Sequence, residues 1–147
     1  MNNNLGKYPK SSSVCNCMNF RRASRAVSQF YDETLAPSGL SITQLGMLLE
    51  INAMEKPGIS ELANTFRIDR TTMNRNLKPL LETGLITLET GSDARKKEIC
   101  LTDIGRQKMT HGSQLWQQAQ DALTGYLGES ELVALRETLA KLEAMVP

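Results

Sequence analysis

Residues 59–86 read ISELANTFRIDRTTMNRNLKPLLETGLI, two short helical patterns with a break between them. In the first, Ser60 to Phe66, the apolar residues Leu62, Ala63 and Phe66 recur at helical spacing. Asp69 then offers a carboxylate to free backbone N–H groups, so a second helix is predicted from Arg70 to about Thr83, where Gly84 stops it. Met73, Leu77, Leu80 and Leu81 share one face of that helix, and Thr71, Asn74, Arg75 and Lys78 share the opposite one. Arg70, Thr71 and Thr72 occupy its first turn, where unpaired amides can also meet an anion. Arg and Asn match guanine and adenine edges in a major groove, while Thr and Lys match backbone or methyl groups. An ordinary solvated helix face also carries Arg and Lys, so the neighbouring segments decide the reading.

Immediately downstream, residues 85–102 read LITLETGSDARKKEICLT. Leu85–Leu88 and Glu98–Leu101 are strand-like runs around a polar, glycine-containing tip, the pattern of a hairpin. Ser92, Arg95, Lys96 and Lys97 sit at that tip, where a two-stranded wing beside a recognition helix can follow a phosphate strand or enter a minor groove. Phosphate would repel Asp93, which is therefore expected to pair with Arg95 or another wing group and fix the loop. Upstream, Ser41 and Gln44 form a capping-box pair ahead of Leu45, Leu48, Leu49 and Ile51, and Lys56–Pro57–Gly58 ends that helix. Further out, Met18, Phe20, Ala23, Val27, Phe30, Tyr31 and Leu35 give a first helix from Val14 until Pro37 and Gly39. After the hairpin, Thr102 caps a long helix carrying Ile104, Met109, Leu115, Trp116, Ala119 and Leu123 inward. Gly128 interrupts, and Leu132, Leu135, Leu139, Leu142 and Val146 form the stripe of a last helix. The expected fold is mainly α with a small β-wing: a winged helix-turn-helix of six helices and one hairpin.

The two terminal helices are amphipathic but lie outside the small core expected between residues 41 and 101. Helical stability comes mostly from burying an apolar face, so the terminal helices of two chains are expected to intertwine in a two-fold homodimer. This divides the chain into a flexible tail (1–13), dimerisation helices (14–40 and 102–147) and a winged helix-turn-helix DNA-binding domain (41–101).

Composition fits that picture. The chain has 147 residues, 40% apolar and 22% charged, with net charge +1, enough for one core and unlike a disordered chain. The charge is uneven: residues 67–97 carry seven Lys or Arg against four acids, and residues 1–30 carry five basic residues and no acid. A polyanion ligand requires only such local excess. No run approaches the length of a membrane span, and MNNNLGKYPKSSS lacks the apolar segment of a secretory signal, making the cytoplasm the default compartment. Three cysteines and one histidine fall short of a structural zinc site or a disulfide scaffold. No metal and no cofactor is expected. The absence of HExxH, a glycine-rich phosphate loop or a nucleophile triad argues against an enzyme, leaving a dimeric protein-interaction adaptor that binds no DNA as the rival from another class.

Taken in this order, ISELANTFRIDRTTMNRNLKPLLETGLI and SDARKKEICLTDIG resemble the MarR family of multiple antibiotic resistance regulators. The likeness spans about Cys15 to Met145, with the wing signature carried by Asp93, Arg95, Leu101, Thr102 and Gly105. It implies a triangular winged-helix dimer that binds a palindromic or near-palindromic operator and mostly represses, released by a small phenolic or lipophilic effector or by an oxidant. By this likeness Arg70–Lys78 enters the major groove and Arg95 reaches the minor groove. An effector cleft between the dimer helices and the winged domain has Phe20, Arg21, Tyr31, Met47 and Met54 as candidate lining. A finer likeness to the organic-hydroperoxide-sensing branch lies in Cys17, Ser24–Arg25 and Tyr31, which would make Cys17 a redox-responsive thiol. Ile42 stands where that branch has a second sensing tyrosine. Cys15 adds a further thiol two residues away, pointing elsewhere if both lie within one helix.

Overall fold

The computed structural model describes residues 5–6 and 9–147; residues 1–4, 7 and 8 of the expected tail lie outside the described residues. The elements follow as α1 (Asn16–Leu35), a 3-10 turn (Ala36–Ser38), α2 (Ile42–Met54), α3 (Ile59–Phe66), α4 (Arg70–Glu82), β1 (Ile86–Thr90), β2 (Lys97–Leu101), α5 (Asp103–Leu127) and α6 (Glu129–Glu143). The architecture is the expected one, mainly α with one antiparallel hairpin. No helix among the described residues is long and apolar enough to cross a membrane.

Local chemistry sets the boundaries. The first helix begins at Asn16 rather than Val14, because Cys15 is an extended N-cap at φ −85°, ψ 111°. A reciprocal pair ties the preceding chain to this turn: the Ser13 N–H donates to Asn19 Oδ1 and Asn19 Nδ2 donates to the Ser13 carbonyl, both at 2.8 Å. The Ser41 capping box forms, with the Gln44 N–H donating to Ser41 Oγ at 3.2 Å and the Ser41 N–H donating to Gln44 Oε1 at 3.0 Å. α2 leaves through Glu55 (φ 53°) and Lys56 (φ 59°), left-handed conformations that side chains disfavour. Pro57 then turns its carbonyl to the Ile99 N–H at 2.8 Å, and Gly58 bridges Glu98. The α2–α3 corner is therefore stitched to the outer side of β2.

The hairpin pairs Ile86 with Leu101 through Thr90 with Lys97. Leu85 lies outside β1 because its N–H returns to the Leu80 carbonyl at 2.9 Å, closing the end of α4. Both strands also reach further than expected, which shortens the tip to residues 91–96 and puts Lys97 on β2. At the base, the Thr102 hydroxyl donates to the Gly84 carbonyl at 2.7 Å and accepts the Gly105 N–H at 3.0 Å, so one side chain joins the end of α4 to the start of α5.

Leu45, Leu48 and Ile51 of α2, Leu62 of α3, Met73, Leu77 and Leu80 of α4, Ile86 and Ile99 of the hairpin and Leu115 of α5 form the centre of one buried cluster. α6 contributes little to it. Leu132 is 8% exposed, but Leu135, Leu139 and Val146 of the same stripe are 39%, 43% and 79% exposed. Met18, Phe20 and Val27 of α1 are also exposed, as is Ile104, which the periodicity placed inward. Ile104 stands in the first turn of α5, which turns Gly105 rather than Ile104 toward the core.

Candidate nucleic-acid interface

The turn between α3 and α4 needs one left-handed residue, Arg67 at φ 54°, whose N–H returns to the Asn64 carbonyl at 3.1 Å. Asp69 then caps α4 twice. Its Oδ1 accepts the Thr72 N–H at 2.7 Å and its Oδ2 accepts the Thr72 hydroxyl at 2.9 Å. These bonds, the backbone one first, hold the Asp69 carboxyl below its ordinary range. The cap uses the Thr72 hydroxyl, and Thr72 is half-buried. Thr72 thus anchors the helix start rather than adding to the free donor surface.

With Met73, Leu77 and Leu80 buried, Thr71, Asn74, Arg75 and Lys78 stand exposed on one outward face, as i, i+3, i+4 and i+7 spacing dictates. No acid interrupts that face. Lys78 approaches Glu82 at 3.9 Å, one turn beyond, an exposed pair of little energetic weight. Arg70 points elsewhere: its Nη1 donates to Ser60 Oγ on α3 at 2.8 Å.

In the wing, Asp93 Oδ1 accepts the Arg95 backbone N–H at 3.0 Å, and the Asp93 carbonyl accepts the Lys96 N–H at 3.0 Å. Asp93 therefore fixes the tip through backbone groups and leaves the Arg95 guanidinium unused. Ser92, Arg95, Lys96 and Lys97 are exposed. Between the wing and α3 lies a cleft of about 580 Å³, lined by Ser60, Glu61 and Asn64 on one side, by Arg95, Lys96 and Lys97 on the other, and by Arg70. Ser60 and Asn64 were not among the residues singled out by sequence. Their exposed i, i+4 spacing on α3 was readable, but their closeness to the wing follows from the fold.

The MarR family profile matches residues 38–96, from the 3-10 turn to the wing tip. The transcriptional regulator MosR of M. tuberculosis, solved in complex with DNA, is 36% identical; the match covers 90% of this chain and 99% of that one, with a TM-score of 0.78. The chain belongs to the MarR family. This MarR-family chain is also similar to the transcriptional repressor CouR. Bound to a 23-mer DNA duplex, CouR is 26% identical over 91% of this chain and 99% of that one, with a TM-score of 0.80. Bound to p-coumaroyl-CoA, it is 26% identical over 88% and 91%, with a TM-score of 0.80. No curated protein matches the chain.

The candidate effector residues of the MarR-family chain are scattered in the single protomer. Met47 is sealed in the core, Met54 is half-buried with its sulfur accepting the Thr65 hydroxyl at 3.7 Å, and Phe20 and Arg21 lie exposed on α1. Tyr31 is buried and its hydroxyl donates to Gln120 Oε1, joining α1 to α5. Desolvation pushes the Tyr31 hydroxyl above its ordinary pKa, with Arg136 opposing. The cavity along α1, about 690 Å³, is lined by Lys10, Asn19, Arg22, Arg25 and Gln29. Cys15 and Cys17 are exposed at the start of α1, and Cys100 is buried in β2, where desolvation and the neighbouring Glu89 raise its thiol pKa. Among the described residues no group of three or more His, Cys, Asp or Glu could hold a metal ion.

Proposed function

We propose that two copies of this chain form an operator-binding transcriptional repressor released by a small-molecule effector. The observation that carries the DNA reading is the exposed, acid-free face of Thr71, Asn74, Arg75 and Lys78 on α4, followed in the chain by the exposed Arg95–Lys97 of the wing. In this reading α4 enters a major groove and the wing follows the adjacent backbone. Affinity comes chiefly from phosphate contacts, and base choice from Thr71, Asn74 and Arg75. MosR in its DNA complex and CouR on a 23-mer duplex support it by likeness.

The dimer reading rests on the unburied apolar side chains Met18, Phe20 and Val27 of α1, Leu135 and Leu139 of α6, and Val146 beyond its end. Residues 14–40 and 102–147 would pack against the partner copy and hold the two 41–101 units so that their recognition helices meet successive grooves of a palindromic or near-palindromic site, roughly 34–36 Å apart. The effector reading draws support from CouR bound to p-coumaroyl-CoA. Phe20, Arg21, Tyr31, Met47 and Met54 remain its candidate contacts, with the partner chain completing the cleft. A ligand that binds the incompetent spacing better than the competent one lowers DNA affinity. One observation favours a thiol signal as the second reading. Because Cys15 lies outside the helix and Cys17 inside it, the helical period no longer separates their side chains, and both are open to oxidant.

Selection of bound duplexes from a randomised pool, followed by mobility shifts and light scattering, tests this reading. The expected result is an inverted-repeat duplex bound by a dimer, with affinity falling steeply in salt. Arg75→Ala should reduce discrimination between that duplex and a random one. A monomer that enriches no sequence would refute the reading and favour a protein-interaction adaptor.

A further inference from the structure

The cleft between α3 and the wing lies off the outward face of α4, and its chemistry differs from that face. Four cations line it, Arg70, Arg95, Lys96 and Lys97, together with the neutral donors Ser60 and Asn64. Arg70 opens α4, but its guanidinium is held over α3 by the 2.8 Å bond to Ser60 Oγ. It is thereby drawn away from Thr71, Asn74, Arg75 and Lys78. The N-terminus of α3 also begins at this cleft, so its helix dipole adds positive potential. One acid intrudes. Glu61 lines the cleft, and its Oε2 accepts the Gly58 N–H at 3.1 Å, closing the first turn of α3.

We propose that this cleft seats one sugar-phosphate strand of the bound duplex, with Arg70 holding phosphate rather than reading bases and Glu61 weakening the seat by its charge. The assignment rests on the DNA-binding reading above and refines it. A guanidinium fixed by a neutral hydroxyl keeps most of its N–H donors for phosphate oxygens. Ser60 and Asn64 present side chains of the kinds that contact nucleic-acid backbones without carrying sequence information. Lys96 and Lys97 face them from the wing, so the strand meets cations on both walls. Glu61 repels the same strand. Its structural duty, accepting an N–H, is one that a neutral glutamine also performs at this helix position. The acid therefore tempers affinity without being needed for the fold.

Three exposed-site variants separate these roles on two probes: the duplex recovered by selection and a random-sequence duplex of the same length. Arg70→Ala should weaken both by the same factor and lower the slope of log affinity against log salt by about one. Glu61→Gln should tighten both severalfold at low salt, with thermal unfolding only slightly lowered. Arg75→Ala should weaken the selected duplex alone. If Arg70→Ala spares the random duplex and the salt slope while weakening the selected one, Arg70 reads bases and the seat is overturned. If Glu61→Gln leaves both affinities unchanged, no phosphate passes Glu61 and the seat is likewise overturned. Failure of the unaltered chain to bind either duplex removes the DNA reading itself, and this seat with it.

Discussion

An alanine at Gly105 would place a methyl group well inside contact distance of the Leu85 carbonyl oxygen, with Leu101 Cδ1 at 3.0 Å and the Leu85 carbonyl carbon at 3.1 Å. The obstacle is backbone, so no rotamer change relieves it. The carbonyl is also pinned, since Leu85 O accepts the Thr102 N–H at 3.1 Å. Relief requires α5 to back away from the base of the wing. Overpacking costs about 1–3 kcal/mol, and losing one of the Thr102 bonds adds about 1 kcal/mol. The expected loss is about 2–4 kcal/mol, against a total of about 5–15 kcal/mol for a domain. At roughly 2–4 °C per kcal/mol for a chain near this length, the midpoint should fall by about 5–15 °C. Equilibrium urea unfolding at a fixed protein concentration reads this directly, since association makes apparent stability depend on concentration. Gly46→Ala is the matched control. Gly46 lies within α2, its Cβ would meet nothing within 4 Å, and alanine there should gain about 0.5–1 kcal/mol through helix preference. A Gly105→Ala protein within about 0.5 kcal/mol of the parent would refute the reasoning, because surface-like tolerance is incompatible with a glycine seated on a fixed carbonyl.

Three further outcomes are expected. Ser41→Ala should cost about 1 kcal/mol in chemical unfolding through loss of the α2 cap, while duplex affinity at a fixed protein concentration stays unchanged. Tyr31→Phe should cost about 1 kcal/mol at neutral pH by removing the bond to Gln120. Because the folded Tyr31 pKa is raised, its contribution is complete below the ordinary tyrosine range and is lost as pH climbs through the folded value; alkaline unfolding curves should therefore show a shallower decline for the variant. Asp69 has the opposite sign. Its folded pKa is lowered, so its stabilisation is present above the ordinary carboxyl range and disappears as pH drops through the folded value. Asp69→Asn, which keeps a capping oxygen, should flatten the acid side of thermal midpoints measured against pH.

Much of the fold was legible because the signals were local and redundant. The Asp69, Ser41 and Thr102 caps, the Gly84 stop and the opposed faces of α4 each follow from neighbours within four residues, and each appears at the expected place. The exposed face of Thr71, Asn74, Arg75 and Lys78 was readable for the same reason. Part of what escaped depends on distant partners. The Arg70–Ser60 bond spans ten positions and turns a first-turn arginine toward α3, which helical spacing alone does not reveal. Thr72 reads as a free donor until Asp69 is seen to take both its N–H and its hydroxyl. Met47 has the composition of a pocket wall, yet lies wholly inside the core, since periodicity tells inward from outward and nothing about which inward residues meet empty space. The helical start at Asn16 was misjudged by two residues because Val14 is apolar and continues the pattern, although it is fully exposed.

The stitch between the α2–α3 corner and β2 has a consequence for how the hairpin behaves in a crowded solution. A two-stranded sheet has two outer borders, each a row of unpaired amides and carbonyls that invites edge-to-edge aggregation. Here the border of β2 is occupied, its Ile99 N–H taken by Pro57 and its Glu98 bridged by Gly58. β1 keeps the other border, and Glu89 on it, held at 3.9 Å from Lys56, supplies charge of the kind that discourages strand addition. A proline and a glycine at the helical corner thus act as a selvedge for the wing.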